Sequence, residues 1–342
     1  MPTSPYSMPK NEAETRSSAA GTSSPKLMHF IITIIGLVSF WPELVTTALA
    51  DRRPLPDIIH HSRFITYTPR SFSIVGGKIV AASETGIRAD LKLLRPSFDS
   101  VITYASANGL EAVPKIAHDL AYRALILGIW DPTSETEIQN VILTAKQYST
   151  LIAAVIVGNE GIFTKRYLPE DVQHTIQRIK KECPSLPVTT SEPFFMYFKK
   201  EFTDFFHTHD LLMPNIHPVF EKWFDPSAPI QGVEMLLRVA EQFKQNYPKP
   251  LLIKETGMPS GQENRGFSAE RQALFWSEMF KRFPISGNQS FACFEAFDAP
   301  WKPAEMANTF PGEHGNEAFW GFFTTSGSGK LIVDKLPPLA IY

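Results

Sequence analysis

The chain has 342 residues, 43% hydrophobic and 20% charged, which suits a soluble globular protein able to bury a full core. Its 33 basic and 35 acidic residues leave a formal charge of -2, which offers no footprint for a phosphate backbone and argues against nucleic acid as a partner. The aromatic share of 12%, with 26 Phe and 6 Trp, fits either an aromatic-rich core or rings that stack on the flat faces of sugars.

Residues 1–26 are rich in Ser, Pro, Thr and Ala without apolar period, and read as disordered. From Met28 the run "MHFIITIIGLVSFW" is apolar and ends before Pro42 and Glu43. It is short for a spanning helix, which needs about 20 residues, but fits a signal h-region, with Lys26 as positive flank and Ala48-Leu49-Ala50 as cleavage pattern. Residues 27–50 are thus expected to be a signal peptide cleaved near Ala50, with an uncleaved anchor or a buried helix as alternatives. The first two put the rest of the chain outside the cytoplasm, secreted, periplasmic or membrane-anchored.

From His61 to the C-terminus, residues 61–342, short apolar runs alternate with longer amphipathic ones, as in strands crossing over through helices into a parallel sheet. Eight strands are predicted: "RFITYTP" (63–69), "SVITYA" (100–105), "RALILGIW" (123–130), "IAAVIV" (152–157), "LPVTTSE" (186–192), "LLMPNIH" (211–217), "PLLIKE" (250–255) and "SFACFEAF" (290–297). Helices are predicted over 134–149, 168–183, 229–247 and 268–283, two of which open on acidic and close on basic residues, as the helix dipole prefers. The length is close to the about 250 residues typical of an eight-stranded (β/α)8 TIM barrel, and no Gly-rich phosphate loop follows the first strand as a doubly wound sheet would need. A single α/β barrel domain follows. Cys183 and Cys293 are too few and too far apart for a disulfide framework or a zinc site, and both read as free.

Two strands end on a carboxylate, which is costly to bury without a reason: "IAAVIVGNE" on Glu160 and "PLLIKE" on Glu255. In a barrel all strand C-termini share one rim, so both acids would face the same space. Two carboxylates from distant positions suit acid/base and nucleophilic work on a glycosidic bond, provided that their surroundings separate their pKa values. Glu160, off an apolar strand and beside neutral Asn159, is the candidate acid, and Glu255 the candidate nucleophile. Strand alternation places Lys254 on the opposite face from Glu255. For either acid alone, a salt-bridged strand end is the competing reading.

In this order, "VIVGNE", "IKETGMPS" and "FEAFDAPWK" resemble glycoside hydrolase family 17, the β-1,3-glucan-active barrels, and the similarity is nearest the microbial glucanases and glucanosyltransferases. It runs over most of residues 63–330 through "ITYTPRSF", "GIW", "LPVTTSEP", "MPNIHP" and "WGFF". The resemblance implies Glu160 as general acid/base, Glu255 as retaining nucleophile, and Asn159 at the 2-hydroxyl of the attacked sugar, with turn capping as the alternative for Asn159. It also implies Tyr67 at the cleft floor, where it would hold or orient the nucleophile, or else a buried tyrosine.

Rim residues Glu192, Asn215 and His217 are expected to bind sugar hydroxyls, His217 standing where many relatives have Tyr. Glu295, placed inside the eighth strand, reads equally as ligand contact or structural ion pair. Trp301 is a stacking platform or a loop aromatic closing the barrel end, Lys302 a charge balance for the carboxylates, and Glu317 a further acid of the cleft. Two departures stand out: Ala299 where relatives carry an acid, and Met258 where they carry Trp, which removes a stacking platform. The expected function is a retaining β-1,3-glucan-active hydrolase without cofactor or metal, with a β-glucan as substrate and a monomer favoured. Glucanosyl transfer, an inverting hydrolase and a non-catalytic glucan-binding barrel are the alternatives.

Overall fold

Strand β1 (Phe64–Tyr67) is buried along its whole length, the mark of a parallel strand covered on both faces. The computed structural model describes residues 52–339, so the expected disordered and signal segments lie outside the described residues. After β1 comes a hairpin of β2 (Ser73–Val75) and β3 (Lys78–Val80). The parallel run resumes with β4 (Ser100–Thr103), β5 (Ala124–Ile129), β6 (Ile152–Asn159), β7 (Val188–Ser191), β8 (Leu251–Ile253) and β9 (Gln289–Cys293). Apart from the hairpin these form one parallel sheet in the order β7-β6-β5-β4-β1-β9-β8.

The sixth predicted strand, 211–217, is the piece that closes the ring. Pro214 lacks an N–H, so this stretch pairs through isolated bridges instead of a continuous ladder. The amide of Asn215 donates to the Glu192 carbonyl at 3.0 Å on one side, and those of Leu252 and Lys254 donate to the Leu212 and Pro214 carbonyls, each at 2.9 Å, on the other. All eight predicted strands thus occupy barrel positions. The eighth ends earlier than expected, at Cys293: beyond it the chain leaves the ladder to pair with 320–323, the Phe322 amide donating to the Glu295 carbonyl at 2.8 Å.

The α-helices among the described residues are α1 (Leu55–His61), α2 (Glu84–Leu94), α3 (Val113–Asp119), α4 (Glu135–Gln147), α5 (Pro169–Glu182), α6 (Thr203–His207), α7 (Ile230–Asn246), α8 (Ala269–Arg282) and α9 (Lys302–Thr309), with short 3-10 turns between and after them. The four helices predicted from sequence are α4, α5, α7 and α8, each within a residue or two of its expected ends. Ser83, Ser134 and Ser268 cap α2, α4 and α8 by accepting from backbone amides three residues on. Helix α1 precedes the expected domain start at His61. Among the described residues no helix is long and apolar enough to cross a membrane.

Strand alternation sorts the apolar residues into two cores. Phe64, Ile102, Ala124, Ile126, Ala154, Ile156, Met213 and Leu252 fill the barrel interior, where Ile58 of α1 joins them. Ile65, Tyr67, Val101, Leu125 and Val155 face outward onto the helices. In that outer layer Trp276 of α8 is fully buried against Phe275, Phe291 and Phe322. Trp276→Ala should lower the unfolding free energy by about 3–5 kcal/mol, measured by urea denaturation; a loss under about 1 kcal/mol would mean that this layer does not hold α8 to the sheet.

Candidate active site

Where β6 ends, the backbone bends sharply. Gly158 adopts φ 83° and Glu160 φ 54°, left-handed values that a glutamate rarely takes. A Cβ at Gly158 would lie 2.1 Å from the Tyr167 hydroxyl, so only glycine permits this approach. The turn is held from β7: the Glu160 amide donates to the Ser191 carbonyl at 2.8 Å, and the Ile162 and Phe163 amides donate to the two Glu192 carboxylate oxygens at 3.0 and 3.1 Å. Burial raises the Glu192 pKa to about 7 against the pull of these amides. With both oxygens engaged and no exposed surface, Glu192 holds the turn and is not the sugar ligand expected from its rim position.

A continuous chain of polar contacts joins Glu160 to Glu255. Asn215 Nδ2 donates to Glu160 Oε1 at 2.8 Å and to Asn159 Oδ1 at 3.1 Å, while Asn215 Oδ1 accepts from the Ser191 hydroxyl at 2.9 Å. Lys254 Nζ donates to Asn159 Oδ1 at 2.7 Å and to Glu255 Oε1 at 2.5 Å. His217 Nε2 lies 3.4 Å from Glu255 Oε2. Asn215, 2% exposed, has both amide hydrogens taken by protein, so it has no donor left for the sugar contact expected of it; His217 faces Glu255. Lys254 is also a correction: β8 stops at Ile253, regular alternation stops with it, and Lys254 and Glu255 both turn into the mouth of the barrel.

The two acids sit in opposite fields. Burial, followed by the negative charge of Glu255, raises the Glu160 pKa above the ordinary glutamate value, outweighing the Asn215 hydrogen bond and the positive groups nearby. Burial pushes on Glu255 as well, yet the Lys254 ammonium and His217 together hold it well below the ordinary range. The two carboxyls are thus biased in opposite directions, Glu160 toward the protonated form and Glu255 toward the anion.

The remaining predicted residues divide. Tyr67 is in register with Thr103 and points outward, its hydroxyl donating to Asp90 of α2 at 3.1 Å, so it does not reach Glu255. Tyr104, one residue beyond β4, turns inward instead. Its ring is partly exposed, while its hydroxyl is covered beside Glu255 and Thr66 without a well-formed hydrogen bond to either. The strand-end signal was present in "SVITYA", but alternation had to be counted from the true register.

Glu295, 1% exposed, forms an ion pair with Lys302 at 2.6 Å. Burial, opposed chiefly by Lys302, raises the Glu295 pKa to about 7. Glu317 is 5% exposed, and burial likewise raises its pKa, against Lys302 and His217. Trp301 packs edge-on against Phe72 at 5.7 Å and lines a cavity of about 260 Å³ with Arg70, Phe297 and Ala299. Met258 is fully buried, so its position offers no platform to the cleft. Exposed rings that the sequence reading did not single out follow the strand ends instead: Trp130 after β5, Phe163 after β6, Phe195 after β7, and Phe220 and Trp223 after the sixth position.

The family model for the BtgE/BtgC glycoside hydrolase domain matches residues 65–321, from β1 through the segment that pairs beyond β9. The chain belongs to this glycoside hydrolase family. Within the BtgE/BtgC match lie both carboxylates and every residue of the chain that joins them. A glucan 1,3-beta-glucosidase of Arthroderma benhamiae is 22% identical over 259 residues, 72% of this chain and 83% of that protein. Among solved structures, an endo-laminarinase from Formosa Hel1_33_131 superposes with a TM-score of 0.64 at 20% identity, covering 83% of this chain and 92% of that one. An active-site mutant of Rhizomucor miehei beta-1,3-glucanosyltransferase in complex with laminaritriose superposes with a TM-score of 0.60 at 18% identity, covering 82% and 100%. At these identities the superpositions establish the barrel fold.

The Glu192 contacts are specific to a carboxylate. Glu192→Gln leaves one of the two turn amides facing an NH2 group and should cost about 1–3 kcal/mol in urea unfolding, with Glu192→Asp, too short to reach both amides, falling at least as far. Unchanged stability in both variants would show that these bonds do not hold the Glu160 turn.

Proposed function

We propose that this chain is a retaining β-1,3-glucan-active glycosidase of the family 17 kind, with Glu160 as general acid/base and Glu255 as nucleophile. The observation that carries the reading is the opposite protonation preference of two carboxyls joined by one polar chain. An inverting pair has no need of an anion held this firmly, because there the base acts on water and not on carbon. The names of the relatives, a 1,3-beta-glucosidase, a laminarinase and a glucanosyltransferase, support the linkage.

In the first step a Glu255 oxygen attacks the anomeric carbon as the bond to the leaving glucan oxygen breaks, and Glu160 gives that oxygen its proton. Glu160, now an anion, then takes a proton from an incoming hydroxyl, whose oxygen displaces Glu255. Asn159 Nδ2 has no acceptor among the described residues, which supports its donating to the sugar 2-hydroxyl. Whether the incoming hydroxyl belongs to water or to a second glucan separates hydrolase from transferase. The exposed rings along the rim are the surfaces that would hold an acceptor sugar. The apolar run at 28–41 and the Ala48-Leu49-Ala50 pattern support a place outside the cytoplasm for this activity.

Proton NMR of a β-1,3-oligosaccharide digest should show the β-anomer first; an α-anomer as first product would mean an inverting enzyme, and binding without turnover a glucan-binding barrel. Glu160→Gln should lower kcat by about 10²–10⁴-fold. The pH profile follows from the two shifts. Glu255, depressed, sets an acid limb below the ordinary carboxylate range, and Glu160, raised, sets the alkaline limb, which Glu160→Gln should abolish. An alkaline limb that persists in this variant would assign the acid elsewhere.

A further inference from the structure

The mechanism above gives no task to Lys254, the group that joins Asn159 to Glu255 in the polar chain. The Lys254 ammonium is 1% exposed and makes two charged or polar contacts, Glu255 Oε1 at 2.5 Å and Asn159 Oδ1 at 2.7 Å, with the face of the Tyr104 ring 4.2 Å away. Burying a lysine costs several kcal/mol unless it is paired and hydrogen-bonded. A lysine serving only the barrel wall would find its partners in the wall; both partners of Lys254 lie at the mouth, Asn159 at the end of β6 and Glu255 just beyond β8.

An ammonium has three donors and no acceptor. It therefore fixes which end of the Asn159 amide faces it: Oδ1 turns inward, where Asn215 donates to it as well, and Nδ2 is left facing away from both. The same ammonium holds one Glu255 oxygen, leaving Oε2 on the side of His217. We propose that Lys254 is a positioning residue that couples the nucleophile to the sugar-binding amide, pinning Glu255 with one N–H and the orientation of Asn159 with another. A neutral or shorter side chain at 254 would leave the Asn159 amide oriented by Asn215 alone and Glu255 with His217 as its remaining hydrogen-bonded partner. This inference rests on the reading of Glu255 as nucleophile.

The charged and titratable groups that face Glu255 are Lys254 beyond β8, His217 from 211–217, Tyr104 after β4, Glu160 after β6 and Glu295 after β9, with Lys302 of α9 behind Glu295. Of these, Lys254 and His217 are the side chains that contact it.

The test is Lys254→Met, which keeps the length of the side chain and removes its charge and donors. On a defined β-1,3-oligosaccharide the acid limb of kcat/KM should rise by about 1–3 pH units, while the alkaline limb, on which the same ammonium acts as the weakest of the named groups, should rise by less. The penalty for a substrate lacking the 2-hydroxyl at the cleaved unit should shrink relative to wild type. An acid limb that does not move, or an unchanged 2-hydroxyl penalty, overturns the coupling.

Carbon NMR titration of the Glu255 carboxyl in the substrate-free protein reads the same shift without turnover. A shift in a wild type that turns over no glucan supports the tie between Lys254 and Glu255 and sinks the functional reading; turnover with no shift sinks the inference alone. Should Lys254→Met not fold, Lys254→Met/Glu255→Gln decides: folding regained when the orphaned charge is removed supports the coupling, and a double variant still unfolded assigns Lys254 to packing and overturns it.

Discussion

A carboxyl group at the mouth of a barrel is pushed toward its neutral form unless its charge is compensated, and this protein holds one carboxyl of each kind within a single polar chain. Glu255 keeps its charge because Lys254 and His217 face it; Glu160, offered only the neutral Asn215 amide directly, is driven toward the protonated form by its burial and by Glu255 itself. Remove the compensation on one side and the distinction between acid and anion disappears. The remaining geometry of the mouth serves that asymmetry: Asn215 and Asn159 span the gap, Ser191 orients Asn215, and Glu192 holds the turn that presents Glu160.

The barrel makes such an arrangement cheap in sequence terms. Parallel strands covered on both faces deliver their last residues to one rim wherever they lie along the chain, so positions 159–160, 215–217 and 254–255 meet without any local motif linking them. Local irregularity does the rest. The left-handed Glu160, the proline-interrupted sixth position and the early end of β8 all release side chains from strict alternation at the point where the polar chain is assembled. Backbone departures of this kind concentrate at sites with a task, since they are retained only where the surroundings impose them.

The fold was legible in the sequence because continuous apolar runs and amphipathic helices carry their period openly, and the paired glutamates because a strand that ends on a charge contradicts its own pattern. Side-chain direction was less legible. Tyr67 and Tyr104 follow the same Thr-Tyr pattern at two strand ends, yet the register sends one to Asp90 and the other to the mouth. Alternation also misplaced Lys254, since it holds only while the ladder lasts, and nothing in "PLLIKE" says that the ladder stops at Ile253. Glu192 and Asn215 have the chemistry of sugar ligands and the right rim positions; that their polar atoms are already taken depends on a turn and a neighbouring strand, which no spacing encodes. The Glu295–Lys302 pair lies seven residues apart around a bend, where neither helical nor strand period applies.

The central claim is that Glu255 becomes covalently bonded to sugar. A β-1,3-linked glucosyl fluoride bearing fluorine at carbon 2 slows both steps, while the reactive leaving group keeps the first fast enough for the glycosyl-enzyme to accumulate. Mass spectrometry of the digested protein should then find one glycosyl adduct, on the peptide that contains Glu255, and none in Glu255→Ala. An adduct on another peptide, or none while the wild type still cleaves β-1,3-glucan, would contradict the account.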